Sequence, residues 1–262
     1  MNPASNFTNR FKALSVWMIL FLFSACTTDP EEPVEPGELR FVSSHELDIE
    51  DPSGLTLDVS GNFLWTVSDS EGGRIYRITF EGEIINHLEH YRGNDLEGIT
   101  MNPNDMTLWV VEERLMQVMQ LNLDGRVLMY KYIEHRNTNI NEGLEGISIN
   151  PDNEHIYLLH TKNPTSFIEL DKYMQIVREV IINFRAPYTM LDLSGLFYDH
   201  KEEELWFVSD ESMRIVVTDT NLEPIRSYQL GQRKFEGIAV NSEKRTIYLV
   251  NDESNMLYIY DY

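Results

Sequence analysis

The chain has 262 residues, 42% of them apolar, and a formal net charge of -22 at pH 7. That apolar content supports a sizeable core, and a single all-β domain of roughly 200–250 residues is ordinary. So acidic a surface excludes nucleic acid and anionic lipid surfaces as binding partners, because both are held through Lys and Arg; it suits a cation, a basic partner, or simple solubility.

At the N-terminus Arg10 and Lys12 precede an apolar run, Ala13 to Ala25. The run is too short to span a bilayer comfortably and reads as the core of a signal peptide. It ends in Phe23-Ser24-Ala25-Cys26, and Cys26 is the one cysteine of the chain, so no intrachain disulfide forms. This segment resembles a bacterial lipobox, in which small residues precede a cysteine that is lipidated and becomes the new N-terminus. Phe23 stands where leucine is commoner, and the alternative is an ordinary secretory signal with an incidental cysteine. We therefore expect residues 1–25 to be a lipoprotein signal peptide and Cys26 to carry the lipid. Residues 26–37 interleave Asp29, Glu31, Glu32 and Glu35 with Pro30, Pro33 and Pro36, the composition of an extended, charged tether. Thr27 after the cysteine gives no inner-membrane retention signal. The acidic run resembles the surface-export signal of some Gram-negative lipoproteins, so the expected address is the outer membrane, extending to the cell surface.

From residue 38 onward one motif recurs five times: Asp51-Pro52-Ser53-Gly54-Leu55, Asp95-Leu96-Glu97-Gly98-Ile99, Gly143-Leu144-Glu145-Gly146-Ile147, Asp192-Leu193-Ser194-Gly195-Leu196 and Lys234-Phe235-Glu236-Gly237-Ile238. From Gly54 through Gly98, Gly146 and Gly195 to Gly237 the intervals are 44, 48, 49 and 42 residues. Each motif opens a short apolar strand, then a turn such as Asn102-Pro103-Asn104-Asp105. A second strand follows with an aromatic near its start, at Trp65, Trp109, Tyr157, Trp206 and Tyr248. Two more strands complete most units. Four strands in a repeat of this length make the blade of a β-propeller, so residues 38–262 are expected to form one five-bladed, all-β propeller. The last unit runs out of chain after three strands, while residues 38–47 have a strand pattern and no unit of their own. This N-terminal strand is expected to complete the last blade and close the ring.

In a propeller the first strand of each blade is innermost, and a glycine there allows close backbone approach. The residue before it is Glu97, Glu145 or Glu236 in three blades and Ser53 or Ser194 in two. Three carboxylates around one opening repel one another, so protons or a cation must relieve them. Oxygen-only donors favour a hard, geometrically tolerant ion, calcium above all. The structural alternative is that each Glu accepts hydrogen bonds from a neighbouring blade. A second polar ring ends the aromatic strands: Ser68-Asp69, Glu112-Glu113, His160-Thr161, Ser209-Asp210 and Asn251-Asp252. It reads either as strand-end turns or as further ligands. His160 breaks this pattern and reads either as a polar side chain with a satisfied hydrogen bond or as a general base or substrate contact. The non-repeating stretch Phe184 to Met190 is a candidate to overhang the opening. No glycine-rich phosphate loop, zinc spacing or nucleophile elbow is present.

With the lipobox, the Asp95-Leu96-Glu97-Gly98-Ile99 motif, its Gly143–Ile147 counterpart and Leu205-Trp206-Phe207-Val208-Ser209-Asp210 in hand, the chain resembles the SdiA-regulated (YjiK-like) family of bacterial envelope proteins. It is more distantly similar to NHL-repeat and gluconolactonase propellers. The resemblance implies a five-bladed propeller with calcium near the axis, and no established activity. It carries the calcium role onto Glu97, Glu145 and Glu236; Ser53 and Ser194 depart from an all-acidic ring. The expected function is a lipid-anchored, calcium-binding module, monomeric, that binds a protein or small-molecule ligand. The alternative is a metal-dependent hydrolase resembling the lactonase propellers, with His160 or a spare carboxylate as base.

Overall fold

The computed structural model describes residues 38–134 and 142–262, besides Met1. The expected signal peptide, Cys26 and the tether lie outside the described residues.

Among the described residues twenty strands form five antiparallel sheets of four and no helix occurs. β1 (Arg40–Glu46) comes first. Blade one contains β2 (Pro52–Leu57), β3 (Leu64–Ser68), β4 (Ile75–Ile78) and β5 (Ile84–His87). Blade two contains β6 (Leu96–Asn102), β7 (Thr107–Glu112), β8 (Gln117–Leu121) and β9 (Val127–Tyr132). Blade three contains β10 (Leu144–Asn150), β11 (His155–His160), β12 (Ser166–Leu170) and β13 (Ile176–Ile181). Blade four contains β14 (Gly195–Asp199), β15 (Glu204–Ser209), β16 (Arg214–Thr218) and β17 (Pro224–Gln229). Blade five has only β18 (Phe235–Asn241), β19 (Thr246–Asn251) and β20 (Met256–Asp261) from its own repeat. β1 supplies the fourth strand, paired antiparallel with β20 from Arg40 opposite Asp261 to Glu46 opposite Met256. The expected closure of the ring is therefore present, and it covers a sheet edge that would otherwise be open.

The inner strands β2, β6, β10, β14 and β18 touch in a closed cycle. Glycine makes that approach possible. A Cβ on Gly54 would sit 2.3 Å from the Glu97 carbonyl oxygen, and one on Gly98 would sit 2.5 Å from that of Glu145. One on Gly195 would lie 2.5 Å from the Glu236 carbonyl oxygen, and one on Gly237 would lie 2.7 Å from the Gly54 carbonyl carbon. Each glycine thus packs on the inner strand of the next blade.

The core lies between blades. Trp65, Trp109, Tyr157, Trp206 and Tyr248 are all buried and pair with Thr56, Thr100, Ser148, Phe197 and Ala239 in the same register. At the far end of every inner strand an Asx side chain ends the strand by accepting a backbone N–H of the turn. Asp58 accepts from Ser60, Asn102 from Asn104, Asn150 from Asp152, Asp199 from Lys201 and Asn241 from Lys244, at 2.9–3.1 Å. Asn and Asp form this turn because the side chain is short enough to mimic a backbone acceptor.

Candidate metal centre at the axial mouth

The motif does more than seat a glycine. In four blades the inner-strand register slips at this point: between Ser53 and Leu55, Leu96 and Ile99, Leu144 and Ile147, and Phe235 and Gly237. A bulge adds one residue to the strand and re-aims a side chain. The glycine can then pack on the next blade while the residue before it turns towards the mouth. The second polar ring is pinned beside the first by backbone bonds. Asp69 donates its N–H to the Asp51 carbonyl at 2.9 Å, Glu113 to Asp95 at 3.0 Å, Thr161 to Gly143 at 3.1 Å and Asp252 to Lys234 at 3.2 Å.

These two rings meet at the junctions between blades. Between blades one and two, Asp69, Asp95 and Glu97 each bring an oxygen to within 4.8 Å of the others. Opposed ligands of one calcium ion at about 2.3–2.6 Å lie about 4.6–5.2 Å apart, so the three fit within a single coordination sphere. One oxygen of Asp69, Oδ1, is buried without a hydrogen-bond donor. Glu97 is buried and its Oε2 accepts from Ser53 Oγ at 2.6 Å. The Asp95 Oδ2 accepts from the Arg114 N–H at 3.0 Å and lies 3.2 Å from its guanidinium. Between blades two and three, Glu113 Oε1 accepts from the Gly143 N–H at 3.1 Å. Between blades four and five, Asp210 Oδ1 accepts from the Lys234 N–H at 2.6 Å.

The carboxylates are strongly perturbed. Burial pushes Asp69 up to about 7, and Asp95, Glu113 and Asp51 add their repulsion. Burial likewise raises Glu113 to about 7, against the opposing Gly143 amide. Glu97 is held well above the usual carboxylate range by burial and by Asp69, with the Ser53 hydroxyl opposing. Glu145 is raised in the same way by burial, then by Glu97, Glu113, Glu236 and Asp69. Glu236 is pushed up to about 8 by burial and by Asp252, partly offset by Lys234. Acids clustered this closely hold either protons or a cation.

The expected trio Glu97, Glu145 and Glu236 therefore faces one mouth, but the three do not have equal surroundings. Glu236 Oε1 lies 3.8 Å from the Lys234 ammonium, whereas Glu97 lies beside Asp69 and Asp95. Asp95 and Lys234 are the residues that sequence reasoning passed over. Both occupy the first place of the motif, three before the glycine, where the repeat reads Asp51, Asp95, Gly143, Asp192 and Lys234. Comparing that column across blades would have found them. Ser194 takes a structural role, its Oγ donating to the Phe235 carbonyl at 2.8 Å. His160 is fully buried, pairs with Leu144 and Ser166 across the sheet, and has Nδ1 3.1 Å from the Pro164 carbonyl oxygen. In the stretch Phe184 to Met190, Phe184 is buried between blades three and four, with Tyr188 and Met190 packed against the same cluster.

The other end of the axis opens into a cavity of about 340 Å³, lined in part by Thr56, Thr100, Ser148 and Phe197. β1 begins at that end. Arg40 pairs with Asp261, and Asp261 with Thr246, next to the turn after Asn241.

The family model described as SdiA-regulated matches residues 43–261, the whole propeller but for its first few residues. The chain belongs to the SdiA-regulated family. Two solved structures resemble it in fold. The nidogen/laminin complex contains a chain 15% identical, with a TM-score of 0.56, over 84% of this chain and 88% of that one. Glutaminyl cyclase from Myxococcus xanthus is 12% identical, with a TM-score of 0.65, over 87% of this chain and 97% of that one. At such identities these likenesses show the shared fold, and the function of this family member has to be argued from its own mouth.

Proposed function

We propose that the protein is a calcium-binding, non-catalytic propeller that uses its carboxylate mouth to bind a ligand or partner in the bacterial cell envelope. The observation that carries this reading is the convergence of Asp69, Asp95 and Glu97 within 4.8 Å. Burial and mutual repulsion leave this cluster in need of positive charge. Glu113 and Glu145 are the further oxygen donors on the same side. All are hard oxygen ligands on a rigid inner ring, the kind of set that suits calcium. A bound ion would neutralise the cluster, tie blade one to blade two, and offer open coordination positions to an oxygen-bearing ligand. Lipidation at Cys26 is part of the proposal.

The test is the metal content of the purified protein together with its melting temperature in EDTA and in calcium. An ion present at 100 times its Kd stabilises by about 2.7 kcal/mol. For a domain of this size that corresponds to a rise of roughly 5–10 °C. No bound ion and no shift at millimolar calcium would refute the proposal.

A further inference from the structure

The five-fold repeat permits a direct comparison of blade junctions. Between blades one and two the equivalent positions hold Asp69, Asp95, Glu97 and Glu113, four carboxylates. Between blades four and five they hold Asp210, Lys234, Glu236 and Asp252. Three of the four are again carboxylates, and lysine stands in the place of Asp95. Its ammonium lies 3.9 Å from Asp210 Oδ2, 3.8 Å from Glu236 Oε1 and 3.5 Å from Asp252 Oδ2. Those partners come from three separate segments, so the ammonium sits where the carboxylates converge. Asp252 Oδ1 is buried without a donor, as is Asp69 Oδ1 at the other junction. Of the remaining three junctions, Gly143 and Thr161 dilute the one between blades two and three, and Thr161 and Ser194 the one between blades three and four. The junction between blades five and one holds Asp252, Asp51, Ser53 and Asp69, but there Asp51 is exposed and Ser53 stands in the place of Glu97.

We propose that Lys234 is a tethered cation that fills a second, vestigial ion position, so that the mouth takes one divalent ion, at the junction of blades one and two, and not two. This rests on the calcium reading of the mouth. The chemistry is simple substitution of charge. Counted over these four positions in their ionised forms, an ammonium among three carboxylates gives -2 where the other junction has -4; one arginine flanks each, Arg114 at 3.2 Å from Asp95 and Arg233 at 3.4 Å from Asp210, so the difference of two charges stands. A second divalent ion beside Lys234 would have to displace the ammonium or tolerate it at contact distance, which is strongly unfavourable in a partly buried site. Lys234 thereby sets both stoichiometry and position: it neutralises Glu236 and leaves Glu97, with Asp69 and Asp95, to the ion.

Calcium bound per chain, measured by equilibrium dialysis on wild type, Lys234→Asp and Asp69→Asn, tests this. The expected values are one ion, two ions and none. A wild type with two ions, a Lys234→Asp variant that stays at one, or an Asp69→Asn variant that still binds one overturns the inference, while the calcium reading itself survives. A wild type with none and Lys234→Asp with one has the opposite meaning: the native calcium site is refuted, and the role of Lys234 as a stand-in cation stands. Should Lys234→Asp not fold even in calcium, Lys234→Gln decides instead: freed of the ammonium, the junction of Asp210, Glu236 and Asp252 is expected to take a second ion, and a variant that stays at one overturns the inference.

Discussion

Replacing Gly98 by alanine should damage this protein far more than the addition of one methyl group suggests. The new Cβ would lie 2.5 Å from the Glu145 carbonyl oxygen, 2.9 Å from the Ile147 nitrogen and 3.0 Å from Ile147 Cγ2. Two of those three atoms are backbone, and they belong to β10, itself wedged against β6 and β14. Relief requires the inner strands to move apart by close to an ångström in a ring that has no free end. Overpacking a tight core costs typically about 1–3 kcal/mol; with backbone on both sides we expect the upper end, about 3 kcal/mol. At about 2–4 °C per kcal/mol, that is a drop of roughly 6–12 °C in Tm. Gly231→Ala is the control, since nothing lies within 4 Å of its added Cβ. There the reduced entropy of the unfolded chain should leave stability unchanged or raised by about 0.4–1 kcal/mol. Calorimetry on both variants in EDTA separates packing from any effect on metal. Equal melting temperatures for the two would refute the close-packed inner ring.

Three further outcomes follow from the same structure. Deleting residues 38–47 removes the outer strand of blade five and the buried Leu47; a Tm within about 2 °C of wild type would contradict strand closure, since burial of one leucine alone is worth about 2–5 kcal/mol. In EDTA the protein should lose stability as pH rises from about 5 to 9. Burial pushes Asp69 and Glu113 up to about 7 and Glu236 up to about 8 in the folded state, from ordinary values of 3.8 for Asp and 4.5 for Glu, so the native state holds protons that the unfolded chain has released. A Tm that stays flat or rises over that range would contradict the shifts, and calcium, which competes with those protons, should bind more tightly over the same interval. Glu97→Gln removes a carboxyl that burial and Asp69 force to hold a proton in the folded state, so it should raise Tm in EDTA while abolishing the calcium-induced rise; a lower Tm in EDTA would show that Glu97 is held by hydrogen bonds such as that from Ser53 rather than by an ion.

The architecture was legible because the repeat is written in glycine and tryptophan, residues whose size fixes where they can sit. Gly54 and its four counterparts gave blade number, and the spare strand at 38–47 gave the closure. The turns were less visible. In the turn after the inner strand the left-handed residue is Gly61 in blade one, three residues before β3, but Met106, Glu154, Glu203 and Arg245 in the other blades, each immediately before the second strand, with no composition signal to mark it. The mouth was legible only in part. Glu97, Glu145 and Glu236 share a column of the repeat, and the eye groups them as one ring. Sequence order does not reveal that a bulge at the motif brings the residue two places earlier to the same mouth. That column carries the asymmetry, with Asp95 beside Glu97 and Lys234 beside Glu236.

We propose a cation at the junction of blades one and two. The most direct measurement is the anomalous scattering of crystals soaked with calcium or a lanthanide. One strong peak is expected within about 2.3–2.6 Å of oxygens from Asp69, Asp95 and Glu97, with Lys234 still lodged among Asp210, Glu236 and Asp252. A peak at another position of the mouth, or none at saturating ion, would contradict it.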